Sequence, residues 1–141
     1  MTILLVRHAR AGKAKEWQGD DRLRPLDERG RAQAEGLVGL LRSYKPTAIL
    51  SSGALRCVQT VDPLARALEQ EVEGREELAE GSETDDVLRL VSSLPDEVAV
   101  LCTHGDVIQE VLGEESVKGS TWVIRFDGDE LTRVEYLPPA A

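Results

Sequence analysis

Three stretches of the chain are apolar without a break: Thr2 to Val6, Ala48-Ile49-Leu50 and Val98-Ala99-Val100-Leu101-Cys102. Uninterrupted β-branched and leucine runs of this length suit strands covered on both faces of a parallel sheet. Between and after them the apolar positions recur three and four apart, the spacing of a helix with one buried side. Glu28 to Tyr44 carries Ala34, Leu37, Val38, Leu40 and Leu41 in this register, with Asp27 as its N-cap and Pro46 beyond its end. Ala54 to Leu68 repeats the pattern through Cys57, Val58, Val61, Leu64 and Leu68, and Pro63 inside it predicts a kink rather than the loss of the helix. Glu83 to Leu94, stopped by Pro95, and the shorter Asp106 to Leu112 complete the set.

Strands alternating with helices at these intervals predict an α/β fold, a doubly wound three-layer α/β/α sandwich around a mostly parallel sheet. The last stretch breaks the alternation. Thr121 to Phe126 and Leu131 to Tyr136 flank Asp127-Gly128-Asp129-Glu130, which predicts a C-terminal β-hairpin at the sheet edge. Ala9 to Asp27 shows neither period, and a connection of that length is expected to be either functional or disordered. With 141 residues and 41% apolar side chains the chain closes one core and not two. Residues 1–137 are therefore expected to form one domain, with residues 138–141, Pro-Pro-Ala-Ala, as a loose tail.

Composition narrows the function classes. No run reaches the roughly 18 to 20 apolar residues of a membrane-crossing helix. The opening apolar run is too short for a signal peptide and has no basic segment before it, so a cytoplasmic protein is expected. Cys57 and Cys102 are expected as buried thiols, since two cysteines do not make a disulfide scaffold. The net charge of −9 argues against a general binder of nucleic acid or anionic membranes. That total conceals an asymmetry: residues 1–50 hold 10 Lys/Arg against 6 Asp/Glu, whereas residues 51–141 hold 7 against 20. A basic beginning on an acidic protein raises the question of which anion it holds.

The two histidines stand in equivalent places, His8 directly after the first apolar run and His104 just beyond the third. In open α/β sheets ligands sit beyond the carboxyl ends of the strands, so both can share one cleft. Arg7 and Arg10 flank His8, Arg56 falls in the first turn of the helix after Ser51-Ser52-Gly53, and Gly105 opens a helix behind His104. Guanidinium donors backed by helix N-termini are the parts of an oxyanion site. A neutral imidazole beside a bound phosphoryl group can attack phosphorus, and neighbouring guanidinium groups disfavour its protonation. The acidic stretch Arg75-Glu76-Glu77-Leu78-Ala79-Glu80-Gly81 offers a carboxyl group to protonate the leaving group. Other phosphate chemistries lack their residues. Two histidines without close acidic or Cys ligands make a poor metal shell; there is no Gly-x-x-x-x-Gly-Lys-[Ser/Thr], no thiolate loop, and no carboxylate cluster for two metals.

These residues resemble the histidine phosphatase (phosphoglycerate mutase-like) superfamily, and within it the short SixA-type phosphohistidine phosphatases. Leu4-Leu5-Val6-Arg7-His8-Ala9 is similar to the family's Arg-His-Gly strand-end motif, with Ala9 where Gly is usual. Ser51-Ser52-Gly53-Ala54-Leu55-Arg56-Cys57-Val58-Gln59-Thr60 resembles its Ser-Ser-x-x-x-Arg-x-x-Gln-Thr signature, and Thr103-His104-Gly105-Asp106 its second-histidine motif. The likeness covers residues 2–136 in order. It implies that His8 is the phosphorylated nucleophile, that Arg7, Arg56 and His104 complete the phosphate pocket, and that neither metal nor other cofactor is needed. Glu80, in Leu78-Ala79-Glu80, stands in the context of the family's general acid. Arg10 and Gly105, with Lys13 and Arg24 at the rim, are expected to bind substrate, either a phosphohistidine protein or a small phosphate ester.

A narrower likeness lies in Arg10-Ala11-Gly12-Lys13, residues 19–26, residues 29–34 and Gly119-Ser120-Thr121-Trp122-Val123. These resemble the histidine phosphatase half of two-domain bacterial proteins whose other half is a Nudix hydrolase, although no Nudix box is present. A phosphatase of nucleotide-like small molecules is therefore the alternative. A mutase at the same site is disfavoured, because mutases cover the site with longer insertions that exclude water. A non-catalytic phosphate- or phosphoprotein-binding module is the alternative from a different class, and it has no use for a paired nucleophile.

Overall fold

The apolar runs become neighbouring strands of one sheet in a computed structural model that describes residues 1–128 and 130–141. In chain order the elements are β1 (Thr2–Arg7), α1 (Glu28–Leu41), β2 (Ala48–Ser51), α2 (Leu55–Ala67), β3 (Val72–Gly74), α3 (Thr84–Ser92), β4 (Val98–Thr103), α4 (Gly105–Leu112), β5 (Thr121–Asp127) and β6 (Glu130–Leu137). The sheet runs β3-β2-β4-β1-β5-β6. Its first four strands are parallel, and β5 and β6 are antiparallel, so the sheet is mostly parallel with the C-terminal hairpin on its edge. Asp129, in the expected hairpin turn, lies outside the described residues.

The pleat explains why the central strands read as unbroken apolar runs. Successive side chains point to opposite faces, and both faces are covered. Leu4 and Val6 of β1 join Val100 and Cys102 of β4 under Leu37, Leu41, Cys57, Val61 and Leu64 of α1 and α2. Ile3 and Leu5 join Ala99 and Leu101 on the other face, under Val87, Leu90, Val91, Val107 and Ile108 of α3 and α4. Three layers result. Both cysteines are free and buried in the first of these cores.

Local signals set the helix limits. The Asp27 carboxylate accepts the Gly30 N–H at 2.7 Å and opens α1. That helix ends at Leu41, three residues before the Tyr44 expected from apolar spacing, and tightens into a 3-10 turn over Arg42–Tyr44. Lys45, in the left-handed region at φ 53, then turns the chain. Pro63 sits inside α2 without interrupting it. A capping box between Glu83 and Asp86 starts α3.

Ala9 to Asp27 is ordered. Two 3-10 turns, Ala14–Glu16 and Asp21–Leu23, divide it. Ala9, Ala11 and Leu26 bury themselves against Ala34 of α1. The Asp27 N–H donates to the Arg10 carbonyl at 3.0 Å, and Gly30 passes so close to that carbonyl that no Cβ fits there. Ala9 is wholly buried and its N–H donates to Thr60 Oγ1 at 2.9 Å, so its methyl group belongs to this small core rather than to the strand-end cavity. Residues 138–141 lie along α1: Ala140 covers Gly36, and Gln33 Nε2 donates to the Ala141 carbonyl at 3.3 Å. Among the described residues no helix is long and apolar enough to cross a membrane.

Candidate active site

Parallel pairing puts the ends of three strands side by side. Arg7 pairs with Thr103, and both Val6 and Ser51 pair with Cys102. The ladder continues one residue further, with the His8 N–H donating to Thr103 O at 3.1 Å and the Ser52 N–H to Cys102 O at 3.0 Å. His8, Ser52 and His104 are thereby delivered to one place, where α2 and α4 begin. A cavity of about 770 Å³ opens there, lined by Arg7, His8, Arg56, His104, Gly105 and Glu80 among others.

The two imidazole rings meet edge to face with centroids 5.4 Å apart. His8 is only 6% exposed, and its Nδ1 lies 2.8 Å from the Ala9 carbonyl. A carbonyl only accepts, so Nδ1 carries the hydrogen and Nε2 keeps its lone pair. Burial holds the His8 pKa down to about 3, against a pull upward from the Ala9 hydrogen bond; the charges of His104, Arg56 and Arg7 depress it further. A neutral imidazole with a fixed tautomer is a competent nucleophile at neutral pH.

His104 is anchored from behind. Its Nε2 lies 2.9 Å from Ser52 Oγ and 3.6 Å from Cys57 Sγ. Its Nδ1 lies 3.4 Å from Glu80 Oε1, an approach without hydrogen-bond alignment. Beneath it, burial raises the Cys102 thiol pKa, while a hydrogen bond to Cys102 draws that of Cys57 down.

Arg56, with its side chain 3% exposed, is held at both ends of its fork. Nη2 reaches Glu80 Oε1 at 2.6 Å and Asp21 Oδ2 at 3.2 Å, and Nη1 donates to the Asp21 carbonyl at 2.8 Å. Arg7 donates to the Ser116 carbonyl and lies against Gly105, where a Cβ would stand 2.8 Å from Arg7 Cζ. Burial lowers the Arg7 pKa and the charges of Asp106 and Glu115 oppose that shift. Arg7 Nε, Arg56 Nε and His104 Nδ1 are buried and lack hydrogen-bond partners among the described residues. Buried nitrogens on three convergent, cavity-lining side chains suit an oxyanion.

The structure therefore brings Arg7, His8, Arg24, Arg56, Glu80, His104 and Gly105 to one cavity and leaves two expected contacts outside it. Arg10 is turned away: its Nε lies 3.7 Å from Asp27 Oδ2, and its N–H donates to Gln33 Oε1 at 3.0 Å. β1 ends at Arg7, so strand alternation no longer governs Arg10, and its ties to Asp27 and Gln33 set its direction instead. Lys13 lines a separate hollow of about 240 Å³ with Trp17 and Pro25. Arg24 borders both spaces.

Several cavity residues were not expected at the site, Asp106 among them although it stands within the second-histidine motif. Asp106, Gln109, Glu115, Ser116 and Lys118 come from α4 and the connection after it. Asp21 joins Arg24 Nε, at 2.9 Å, to Arg56, a role to which nothing in its spacing pointed. Among the described residues no group of three or more His, Cys, Asp or Glu side chains is arranged to hold a metal ion.

An α/β domain with two buried imidazoles, a buried Arg56 and a half-buried Arg7 gathered at its strand ends defines a recognisable class. The chain belongs to the histidine phosphatase superfamily (branch 1), whose family model matches residues 3–87. It is 38% identical over 98% of its length to the 8-oxo-(d)GTP phosphatase of Mycolicibacterium smegmatis, covering 48% of that protein. The chain thus spans about half the length of this curated relative. A structure assigned as a SixA phosphohistidine phosphatase from Agrobacterium tumefaciens is 27% identical and superposes with a TM-score of 0.77, covering 98% of this chain and 97% of that one. The protein histidine phosphatase SixA in complex with tungstate has the same fold, with a TM-score of 0.83 at 20% identity over 99% of this chain and 97% of that one.

Proposed function

We propose that this chain is a metal-independent phosphatase acting through a covalent phosphohistidine on His8, with residues 1–137 as its working domain. What supports the reading most is the His8 tautomer, with Nδ1 tied to the Ala9 carbonyl and Nε2 left as the basic nitrogen beside Arg7, Arg56 and His104. In the first step Nε2 attacks phosphorus, the P–O bond to the leaving group breaks, and the Glu80 carboxyl gives its proton to the departing oxygen. Arg7, Arg56 and His104 take the charge that builds on the equatorial oxygens. In the second step water attacks the phosphorus of phospho-His8, its proton goes to Glu80, and the P–N bond breaks to release phosphate.

The substrate is a phosphorylated molecule: a phosphate monoester or a protein phosphohistidine. The 38% identity to an 8-oxo-(d)GTP phosphatase favours, as a second reading, a nucleotide-like small molecule. Two free buried thiols accord with a reducing, cytoplasmic setting. The test is to trap the phosphoenzyme with a labelled phosphomonoester in the presence of EDTA. The label is expected on wild type, stable in alkali and lost in acid, and absent from His8→Ala. Hydrolysis that survives His8→Ala, or that EDTA abolishes, overturns the mechanism.

A further inference from the structure

The cavity is far larger than one phosphoryl group requires. At about 770 Å³ it is an open cleft of the size of a small-molecule site. It carries charges of both signs. Glu80, Asp106 and Glu115 contribute carboxylates, while Arg24 and Lys118 are cations additional to the inner Arg7 and Arg56.

Arg24 is held in place through its side chain without being neutralised in full, and Lys118 is anchored through its backbone. Arg24 is fixed by Nε to Asp21 at 2.9 Å and by Nη1 to the Ala11 carbonyl at 2.6 Å, and its Nη2 has no such tie among the described residues. Asp21 is shared with Arg56, so one carboxylate serves two guanidinium groups. Lys118 is half-buried and makes no ion pair or hydrogen bond through its ammonium group among the described residues. Burial, and the charges of Arg7, Arg24 and Arg10, lower its pKa, with Asp27 a weaker opposing influence. Its backbone is pinned, because the next residue, Gly119, donates its N–H to the carbonyls of Arg7 and His8 at 3.2 and 3.1 Å. Gly119 itself sits at φ +86 against the Gln33 side chain, a place with little room for any Cβ. The Lys118 backbone is thus tied to the strand end that carries the nucleophile, and its side chain lines the same cavity as Arg7, Arg24 and Arg56.

We infer that Arg24 and Lys118 form a second anion subsite, and that the preferred substrate carries a further phosphoryl group directly beyond the leaving-group oxygen, as a diphosphate does. This rests on the phosphatase reading for the identity of the inner subsite. Like charges gathered around a partly desolvated space repel one another, and an anion between them removes that cost and gains charge-assisted hydrogen bonds. The carboxylates of Asp106 and Glu115, close enough to Arg7 to act on its charge, repel the same anion, and Arg24 and Lys118 supply the cations that offset them.

Binding measured by calorimetry, with orthophosphate and methylenediphosphonate as probes at matched pH and ionic strength, tests this. Wild type is expected to bind the diphosphonate at least tenfold more tightly than orthophosphate. Lys118→Ala should reduce that ratio to below about threefold, Lys118→Arg should restore it, and Arg29→Ala, which removes the same charge from an exposed position on α1, should preserve it. Equal affinities in wild type, or a Lys118→Ala protein that loses affinity for both probes in equal proportion, overturns the subsite. Because the readout is binding, a protein that passes this test yet forms no phosphohistidine refutes the phosphatase reading and leaves the subsite standing.

Discussion

Gly105 offers a way to move a catalytic group without loosening the fold. It is the first residue of α4, and a methyl group built on it would stand 2.8 Å from Arg7 Cζ and 3.0 Å from Arg7 Nε. Carbon atoms rest at about 3.5 to 4.0 Å, so the guanidinium must retreat by roughly 0.7 to 1.2 Å. It is the tip of a flexible side chain, so it yields before the sheet does, at the expense of its bond to the Ser116 carbonyl. A misplacement of about 1 Å costs on the order of 100-fold in rate, or about 2.7 kcal/mol of transition-state stabilisation. Stability moves the other way. Gly105 does not need a positive φ, and alanine is favoured over glycine in helices by up to about 1 kcal/mol. Gly105→Ala should therefore hydrolyse p-nitrophenyl phosphate with kcat/KM down about 100-fold while melting at or slightly above the wild-type temperature. Paired rate measurements and circular-dichroism melts decide it. Undiminished kcat/KM would show that Arg7 is not needed where it stands, and a melting temperature lower by about 10 °C would show that the sheet, not the side chain, takes the strain.

Two further outcomes follow from the same geometry. His8 titrates at about 3 in the folded chain against 6.5 for an ordinary imidazole, so the unfolded chain takes up its proton first and the native state loses stability as pH falls from 6.5 toward 3. Between pH 6.5 and 5 this amounts to about 2 kcal/mol; urea unfolding should show that loss shrinking by this amount in His8→Asn, and identical pH dependence in the two proteins would contradict the depressed value. Asp21→Asn removes the charge that ties Arg24 to Arg56, and kcat/KM should drop about tenfold as a charge-assisted bond weakens; because Asp21 is half-exposed, stability should change by less than about 1 kcal/mol, and unaltered kcat/KM would show that Arg56 holds its position without it.

The sheet and the inner site were legible for one physical reason. A strand buried on both faces must be apolar throughout, so its end is marked by the first polar residues, and here those are Arg7-His8, Ser51-Ser52 and Thr103-His104. Strand ends in a parallel sheet lie together, which makes three separate stretches of sequence a single place. The rim obeys no such rule. Arg10 follows His8 by two positions yet pairs with Asp27, whereas Lys118 is 110 positions away and faces the cavity. Direction out of a strand, and the path of the loop between α4 and β5, depend on backbone turns such as that at Gly119 and leave no periodic trace. The shortfall of α1 at Leu41 has a similar origin, since Leu40, Leu41 and Tyr44 keep helical spacing while Lys45 already turns the chain away.

The centre and the rim also hang from different parts of the molecule. Arg7, His8, Arg56 and His104 are set by strands and helix starts that the core cannot rearrange without coming apart. Asp21, Arg24, Glu80, Ser116 and Lys118 all sit on connections between those elements. Substitutions and short insertions in such connections are tolerated far better than in a core. The fold is therefore a fixed reaction vessel with an exchangeable mouth: new substrates can be acquired by rewriting a few loop positions, while the groups that do the chemistry keep the places the sheet gives them.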